Sequence, residues 1–300
     1  MNRPIAFSGN HSDITLWSNQ FGIPSHEARQ RYAELSILGC IGFDRRASRS
    51  IVLKGGNALR FAYGGTRSTI DLDFTAVQEA LEDEGEVLRE LFNQAFSGSE
   101  ASFQIRLRCQ RVKRRPRDGT GTHPTYDIGV AYQFPTDRYY ADFENKKTSR
   151  NAPTVIPVEV SLNDLVCETK EYDPVHGKQD SALLVCSLED VIAEKLRSLL
   201  QQPIRNRNRE QDVFDCVSFA RSHKDIDREK VFKFFIQKCE TREITPSPDS
   251  FDTTVREMAM VNYEPTISNQ APNDFIVFEE AWSELIEFVE SLPWDTDHSP

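Results

Sequence analysis

The stretch Lys54 to Asp73 reads K-G-G-N-A-L-R-F-A-Y-G-G-T-R-S-T-I-D-L-D, and the fold turns on how it is parsed. Ahead of it, Ile51-Val52-Leu53 is a short apolar run that predicts a buried strand; beyond the glycine pair, Asn57 to Tyr63 predicts a helix. Gly55 and Gly56 therefore fall at a strand-to-helix junction. Without Cβ atoms they let a phosphate approach the backbone, where the free N–H groups of the next helix favour its charge. The same junction also serves as a plain tight turn. Thr69 to Thr75 alternates and predicts a second strand, with Asp71 and Asp73 on one face and Leu72 toward the core. Two such carboxylates repel unless a cation lies between them, and hard oxygen donors suit Mg2+ or Mn2+. An isolated D-x-D is otherwise a solvated strand end. A phosphate-type turn one helix upstream favours the metal, because phosphoryl chemistry needs both parts.

Outward from this stretch, Pro24 and Ser25 open a helix to about Cys40, with Ala28, Tyr32, Leu35 and Leu38 on one face. A helix is predicted over 83–95, and strands over 102–112, 125–134 and 154–162. From Ser187 the period changes to 3.6. Ser187-Leu188-Glu189-Asp190 has the form of a capping box before a helix to Leu200, and further helices are predicted over 210–222, 228–239 and 274–291. The fold class is α+β: a mixed module over residues 1–186, then a helical one over 187–300.

Two side chains stand out against their surroundings. Glu159 is the one carboxylate inside the β-branched run Val155 to Val160, either a third acid for a two-metal site or a solvated edge position. Lys195 interrupts the apolar stripe of Val191, Ile192 and Leu199, so its ammonium must snorkel or meet an anion. A triphosphate is one such anion; Asp212 or Asp215 is another.

The net charge of −11 is unevenly placed. Glu240 to Pro300 carries fourteen acidic residues against Arg242 and Arg256 alone, so the rest of the chain is near neutral and a basic surface is not excluded. One is visible: Arg106, Arg108, Arg111, Lys113, Arg114, Arg115 and Arg117 form a stripe, read as a strand running into a basic hairpin turn, that suits RNA phosphates. Arg205, Arg207 and Arg209 offer a second rim. Solvated loops, or partners for the acidic tail, account for the same residues. The six cysteines show no C-x-x-C, no run of about 18 apolar residues exists, and Met1-Asn2-Arg3-Pro4 leads into no secretory segment; a reducing cytoplasm is expected. His123 and His176 belong to no zinc-hydrolase or Ser/His/Asp pattern.

Taken together, these motifs resemble the nucleotidyltransferase AbiEii/AbiGii toxin family, MenT-like toxins included. Its V-L-K-G-G-[ST]-A-L is matched by Ile51 to Leu59, its R-x-S-x-D-[IL]-D region by Arg67-Ser68-Thr69-Ile70-Asp71-Leu72-Asp73, and its A-E-K-L-x-A-L-L by Ala193 to Leu200. The family's R-D-x-x-D-L appears as Gln211-Asp212-Val213-Phe214-Asp215-Cys216, with Gln in place of Arg, and Asn57 replaces the usual Ser or Thr. The resemblance implies a nucleotidyltransferase-like mixed sheet flanked by helices, with a C-terminal helical domain bringing Lys195 and Asp212 to the cleft. It implies metal-dependent transfer from an NTP to an RNA acceptor, notably a tRNA 3′ end, with release of pyrophosphate and restraint by an antitoxin. Asp71, Asp73 and Glu159 would hold Mg2+. Lys54, Gly55, Gly56, Asn57, Arg67, Ser68 and Lys195 would bind the nucleotide, with Asp212 orienting Lys195. A small molecule or a protein side chain is the alternative acceptor, and a catalytically silent nucleotide- or RNA-binding module the alternative class.

Overall fold

In a computed structural model that describes residues 6–77, 85–116, 124–143, 154–176 and 181–294, the chain opens with helices α1 (Ser12–Phe21), α2 (Ser25–Phe43) and the single turn α3 (Ala47–Ser50). It then enters β1 (Ile51–Lys54), α4 (Gly55–Ala62) and β2 (Leu72–Ala76). Next come α5 (Gly85–Phe96), α6 (Ser99–Phe103), β3 (Arg106–Arg115), β4 (Thr125–Gln133), β5 (Val155–Ser161), β6 (Thr169–Tyr172) and β7 (Leu183–Cys186). From Leu188 the described chain is helical: α7 (Leu188–Leu200), α8 (Gln202–Arg205), α9 (Glu210–Ser222), α10 (Arg228–Glu240), α11 (Thr253–Met260), α12 (Tyr263–Gln270) and α13 (Phe278–Glu290), with one 3-10 turn at Pro248–Ser250.

Seven strands form one mixed sheet in the order β3-β4-β5-β2-β1-β7-β6. β1 runs parallel to β7 and β2 parallel to β5; the other neighbours are antiparallel. The two faces have different fates because side chains alternate along each strand. Ile51, Leu53, Leu72, Phe74, Ile128, Val158 and Val160 join one core with α2 and α5. On the other face, Val52 joins a second core built from α7, α9, α10 and the last helices. Those helices cover the sheet near β1, and the same face of β2, β5 and β4 borders the cleft described below.

Local chemistry explains where the elements begin. The Ser187 Oγ accepts the Asp190 N–H at 3.2 Å and caps α7. The reciprocal half of the expected box is missing: the Asp190 carboxylate instead accepts from the Cys167 N–H at 2.5 Å and pairs with Lys238 at 3.0 Å. Helix α2 is buried all round from Arg31 to Gly42 rather than along one stripe, since α1 and α5 pack on it as well as the sheet. The segment 102–105 joins a short helix and a turn before β3, not the strand predicted there.

Candidate active site

A single row of charges crosses the open sheet face. Lys113 pairs with Asp127, Asp127 with Glu159, Glu159 with Asp73, and Asp73 with Lys54. Residues in register on neighbouring strands share a face about 4.8 Å apart. Three carboxylates thus stand side by side between two ammonium groups. The residues flanking this row along their strands, Tyr126, Ile128, Val158, Val160, Leu72, Phe74 and Leu53, are buried on the opposite face, so the alternation of these four strands fixes the row.

The glycine turn abuts the middle of this row. Gly55 has φ +69°, and a Cβ placed there would come 2.5 Å from Asp73 Oδ2. A Cβ on Gly56 would meet the Arg67 guanidinium at 2.8 Å. Gly55→Ala is therefore expected to cost about 1–3 kcal/mol of stability from backbone strain and, by displacing Asp73, about a hundredfold in catalytic rate. Thermal unfolding and initial-rate measurements check both.

Asp71 and Asp73 line the cleft, but not as two positions of one strand. Asp71 is exposed just before β2, because Asn57 Nδ2 donates to its carbonyl at 2.8 Å and takes up a group that a longer strand would pair. Asn57 is itself fully buried, so its amide holds the Asp71 segment and does not line the cleft. Ser68 likewise lies off the cleft lining, its N–H donated to the Gln270 carbonyl. Burial is the main cause that pushes the Asp73 carboxyl up to about 6; Lys54 opposes it, Glu159 and Asp71 add to it, and Lys195 opposes it weakly. The Asp71 carboxyl, partly enclosed by the cleft although the residue is exposed overall, is raised by that enclosure and by Asp127, against Arg115.

Lys54 bonds Asp164 at 2.5 Å and Ser161 Oγ at 2.9 Å. Burial alone would pull its ammonium down, but Asp164 outweighs it and holds Lys54 protonated above its ordinary range. Across the cleft, Lys195 meets Asp212 at 2.7 Å and Asp215 at 2.8 Å, so carboxylates supply the anion its apolar stripe demands. Arg67 grips Asp215 through two contacts at 2.8 and 2.7 Å. It also donates to Gln211 and Gln270. Gln211, standing where the family has Arg, is thus an acceptor for Arg67 and not a second cation. Lys195, Arg67, Asp212 and Gln211 all face a cavity of about 370 Å³ together with Lys54, Gly55, Gly56, Asp71, Asp73 and Glu159.

Glu159 borders this cavity, yet its carboxylate is engaged. The Arg115 guanidinium bridges Glu159 and Asp127 from the end of β3. Among the described residues, no group of three or more His, Cys, Asp and Glu side chains is set to hold a metal ion. The donor set nevertheless fits Mg2+ or Mn2+ through Asp71 and Asp73. Mg2+ commonly takes one or two carboxylates and fills its shell with substrate phosphate and water.

The basic stripe is straighter than a hairpin turn. β3 continues through Arg115, and a bulge between Cys109 and Arg111 turns Arg106, Arg108, Arg111, Lys113 and Arg115 onto the face that carries Asp127. Arg106 is tied to Glu100 and the Tyr140 carbonyl and ring, and Arg108 lies over Phe143. Arg114 points off this face and donates to the Pro116 carbonyl. Arg111 and Lys113 are exposed with no ion pair among the described residues; Arg117 lies outside them.

The sequence reading missed Asp127, Asp164 and the clamp by Arg115. Asp127 was within reach, since Tyr126-Asp127-Ile128 sets one acid between apolar neighbours as Val158-Glu159-Val160 does. Asp164 carries no such signal, because it lies past the end of β5.

A mixed sheet carrying carboxylates beside a strand–glycine–helix turn, with a lysine helix closing the cleft, defines a nucleotidyl-transferring class of enzyme. The family model of the nucleotidyl transferase AbiEii toxin, type IV toxin–antitoxin system, matches residues 43–287. The chain belongs to that family and is a nucleotidyltransferase. Similar solved structures include JHP933 from Helicobacter pylori, 16% identical, covering 87% of this chain and 89% of that one with a TM-score of 0.48. Another is MenT4, a nucleotidyltransferase toxin from Mycobacterium tuberculosis H37Rv, 18% identical, covering 92% and 97% with a TM-score of 0.49. No curated protein matches the chain. All six cysteines are free, and no described helix is long and apolar enough to cross a membrane.

Proposed function

We propose that this chain transfers a nucleotidyl group from an NTP to the 3′-hydroxyl of an RNA acceptor, a tRNA end, with release of pyrophosphate. The observation that carries this reading is the in-register pair Glu159–Asp73, with Asp73 against the Gly55 turn, within one cavity shared with Lys54 and Lys195. The hydroxyl oxygen forms a bond to the α-phosphorus while the bond to the bridging α,β-oxygen breaks. Its proton passes to the Glu159 carboxylate in our assignment, at Oε1, because Arg115 pairs with Oε2. Asp71 and Asp73 would hold Mg2+ or Mn2+, which when bound neutralises phosphate charge. The backbone N–H groups at Gly55 and Gly56 face the phosphates, and Lys54 and Lys195 meet the negative charge that grows on the leaving pyrophosphate. Asp212 and Asp215 keep Lys195 protonated and aimed, and Arg67 holds Asp215 in place. Arg111 and Lys113 contact the acceptor. We keep the division into modules 1–186 and 187–300 at the change from sheet to helices, although Val52, Leu59 and Cys186 of the first module pack into the helical core. The family's toxin–antitoxin system supplies an antitoxin as the partner we assign, in the cytoplasm.

Incubation with α-labelled NTPs, Mg2+ and total tRNA tests this. Asp71→Asn is expected to lower label transfer about a thousandfold, the equivalent of about 4 kcal/mol in the barrier. Full transfer by that variant would overturn the mechanism. Transfer to a small hydroxyl compound but to no RNA would overturn the acceptor.

A further inference from the structure

Arg205-Asn206-Arg207-Asn208-Arg209 alternates strictly, and the cavity lining divides it the same way. The three arginines line the cleft; the two asparagines do not. Arg205 and Arg207 are exposed, Arg209 is half-buried, and none of the three has an ion pair among the described residues. This is unusual for the cleft, where Lys54, Arg67, Lys195, Lys238 and Arg242 are each paired with a carboxylate. The segment is also held in shape. Buried Gln202 accepts the Arg209 N–H at 2.7 Å and donates to the Val255 carbonyl at 3.1 Å, while the Arg207 N–H bonds the Gln202 carbonyl at 3.2 Å. Asn206 takes the left-handed conformation at φ 49° that this turn requires. A chain of net charge −11 thus keeps three unneutralised guanidinium groups, preordered, at one wall of its catalytic cleft.

We infer that Arg205, Arg207 and Arg209 bind the backbone phosphates of the incoming single-stranded RNA end, independently of its sequence. This rests on the function proposed above and adds the surface that the acceptor crosses. A triphosphate is a less suitable ligand: it belongs beside Gly55 and Asp71, where Lys54 and Lys195 lie deep, whereas these arginines face solvent as a longer polymer needs. The three guanidinium groups recur at every second residue and face solvent without a partner to aim them at a base, so we assign the contact to successive backbone phosphates, which positions the strand without reading it.

The test compares the wild type with the triple variant R205A/R207A/R209A in binding of a labelled single-stranded oligoribonucleotide across salt concentrations, and in binding of a non-hydrolysable NTP with Mg2+ by calorimetry. The triple variant is expected to lose about tenfold or more in RNA affinity, to flatten the salt dependence by about 2 in log–log slope, and to keep its NTP affinity. The loss should be the same for oligonucleotides of different sequence. R205K/R207K/R209K should restore most of the affinity, because a lysine still meets phosphate as a point charge. The control R45A/R46A/R49A removes three exposed cations outside the cleft. An equal loss in that control, or a loss of NTP affinity with RNA binding intact, overturns the inference. A wild-type protein that binds NTP but neither binds nor modifies any RNA overturns the function reading itself, so the two failures are distinguishable.

Discussion

Asp73→Asn is expected to abolish nucleotidyl transfer while making the metal-free protein more stable at about pH 8. The carboxyl sits at about 6 in the folded chain, above its ordinary 3.8, chiefly because it is buried. A raised carboxyl contributes stability that is complete below its unfolded value and lost as pH rises through about 6. Above that pH the ionised form is a burden on the fold, with a ceiling of about 3 kcal/mol for a shift of this size. The attraction of Lys54 and Lys195 is already contained in that balance. Asparagine has nearly the same shape and no charge, so the burden disappears. Thermal unfolding without metal should show the variant melting above the wild type at about pH 8, and the gap closing toward about pH 4. A variant that melts lower at the higher pH would show that Asp73 is held chiefly by attraction. The activity loss tests the other half, since Asp73 is the carboxylate against the glycine turn.

Arg67→Ala should be the most damaging single change to the fold. Its guanidinium, 7% exposed, satisfies both oxygens of Asp215, which is 4% exposed. Removing it leaves a buried carboxylate with Lys195 alone, a loss of about 3–5 kcal/mol and about 5–10 °C in unfolding midpoint. Burial by itself would raise the Asp215 carboxyl; Arg67 first and Lys195 second hold it well below the usual carboxylate range instead. Arg67→Met combined with Asp215→Leu should recover much of the stability, since no uncompensated charge remains, yet not the activity, since Lys195 loses an anchor. Equal melting of the single and double variants would show that the pair contributes packing and not charge.

The strand–glycine–helix turn and the strand carrying Asp73 were legible because both are written in the one stretch from Lys54 to Asp73, whereas Asp71 falls just before that strand and not on its face. Lys195 was legible as an anomaly, although its two carboxylate partners were named only as candidates. The segment β7 was not legible. Leu183 to Cys186 is as short as β1 but lacks the glycine pair that marks the end of β1, and its partners Val52 and Leu53 lie far back in the chain. Helices α1, α11 and α12 were missed as well: at ten, eight and eight residues they complete too few turns for a 3.6-residue period to stand out, although Asp252 caps α11. The clamp of Arg115 on Asp127 and Glu159 depends on the register of three strands and on one bulge, neither of which has a local signature.

The Lys195–Asp215–Arg67 junction has a bearing on how this chain is made. Residues from both ends of a long span must meet before the cleft exists, and the last of them to leave the ribosome is Asp215. A growing polypeptide that has already folded its glycine turn still lacks the carboxylates that seat Arg67 and Lys195. Until translation passes that point the cleft cannot assemble, so its formation waits on more than two thirds of the chain having been synthesised.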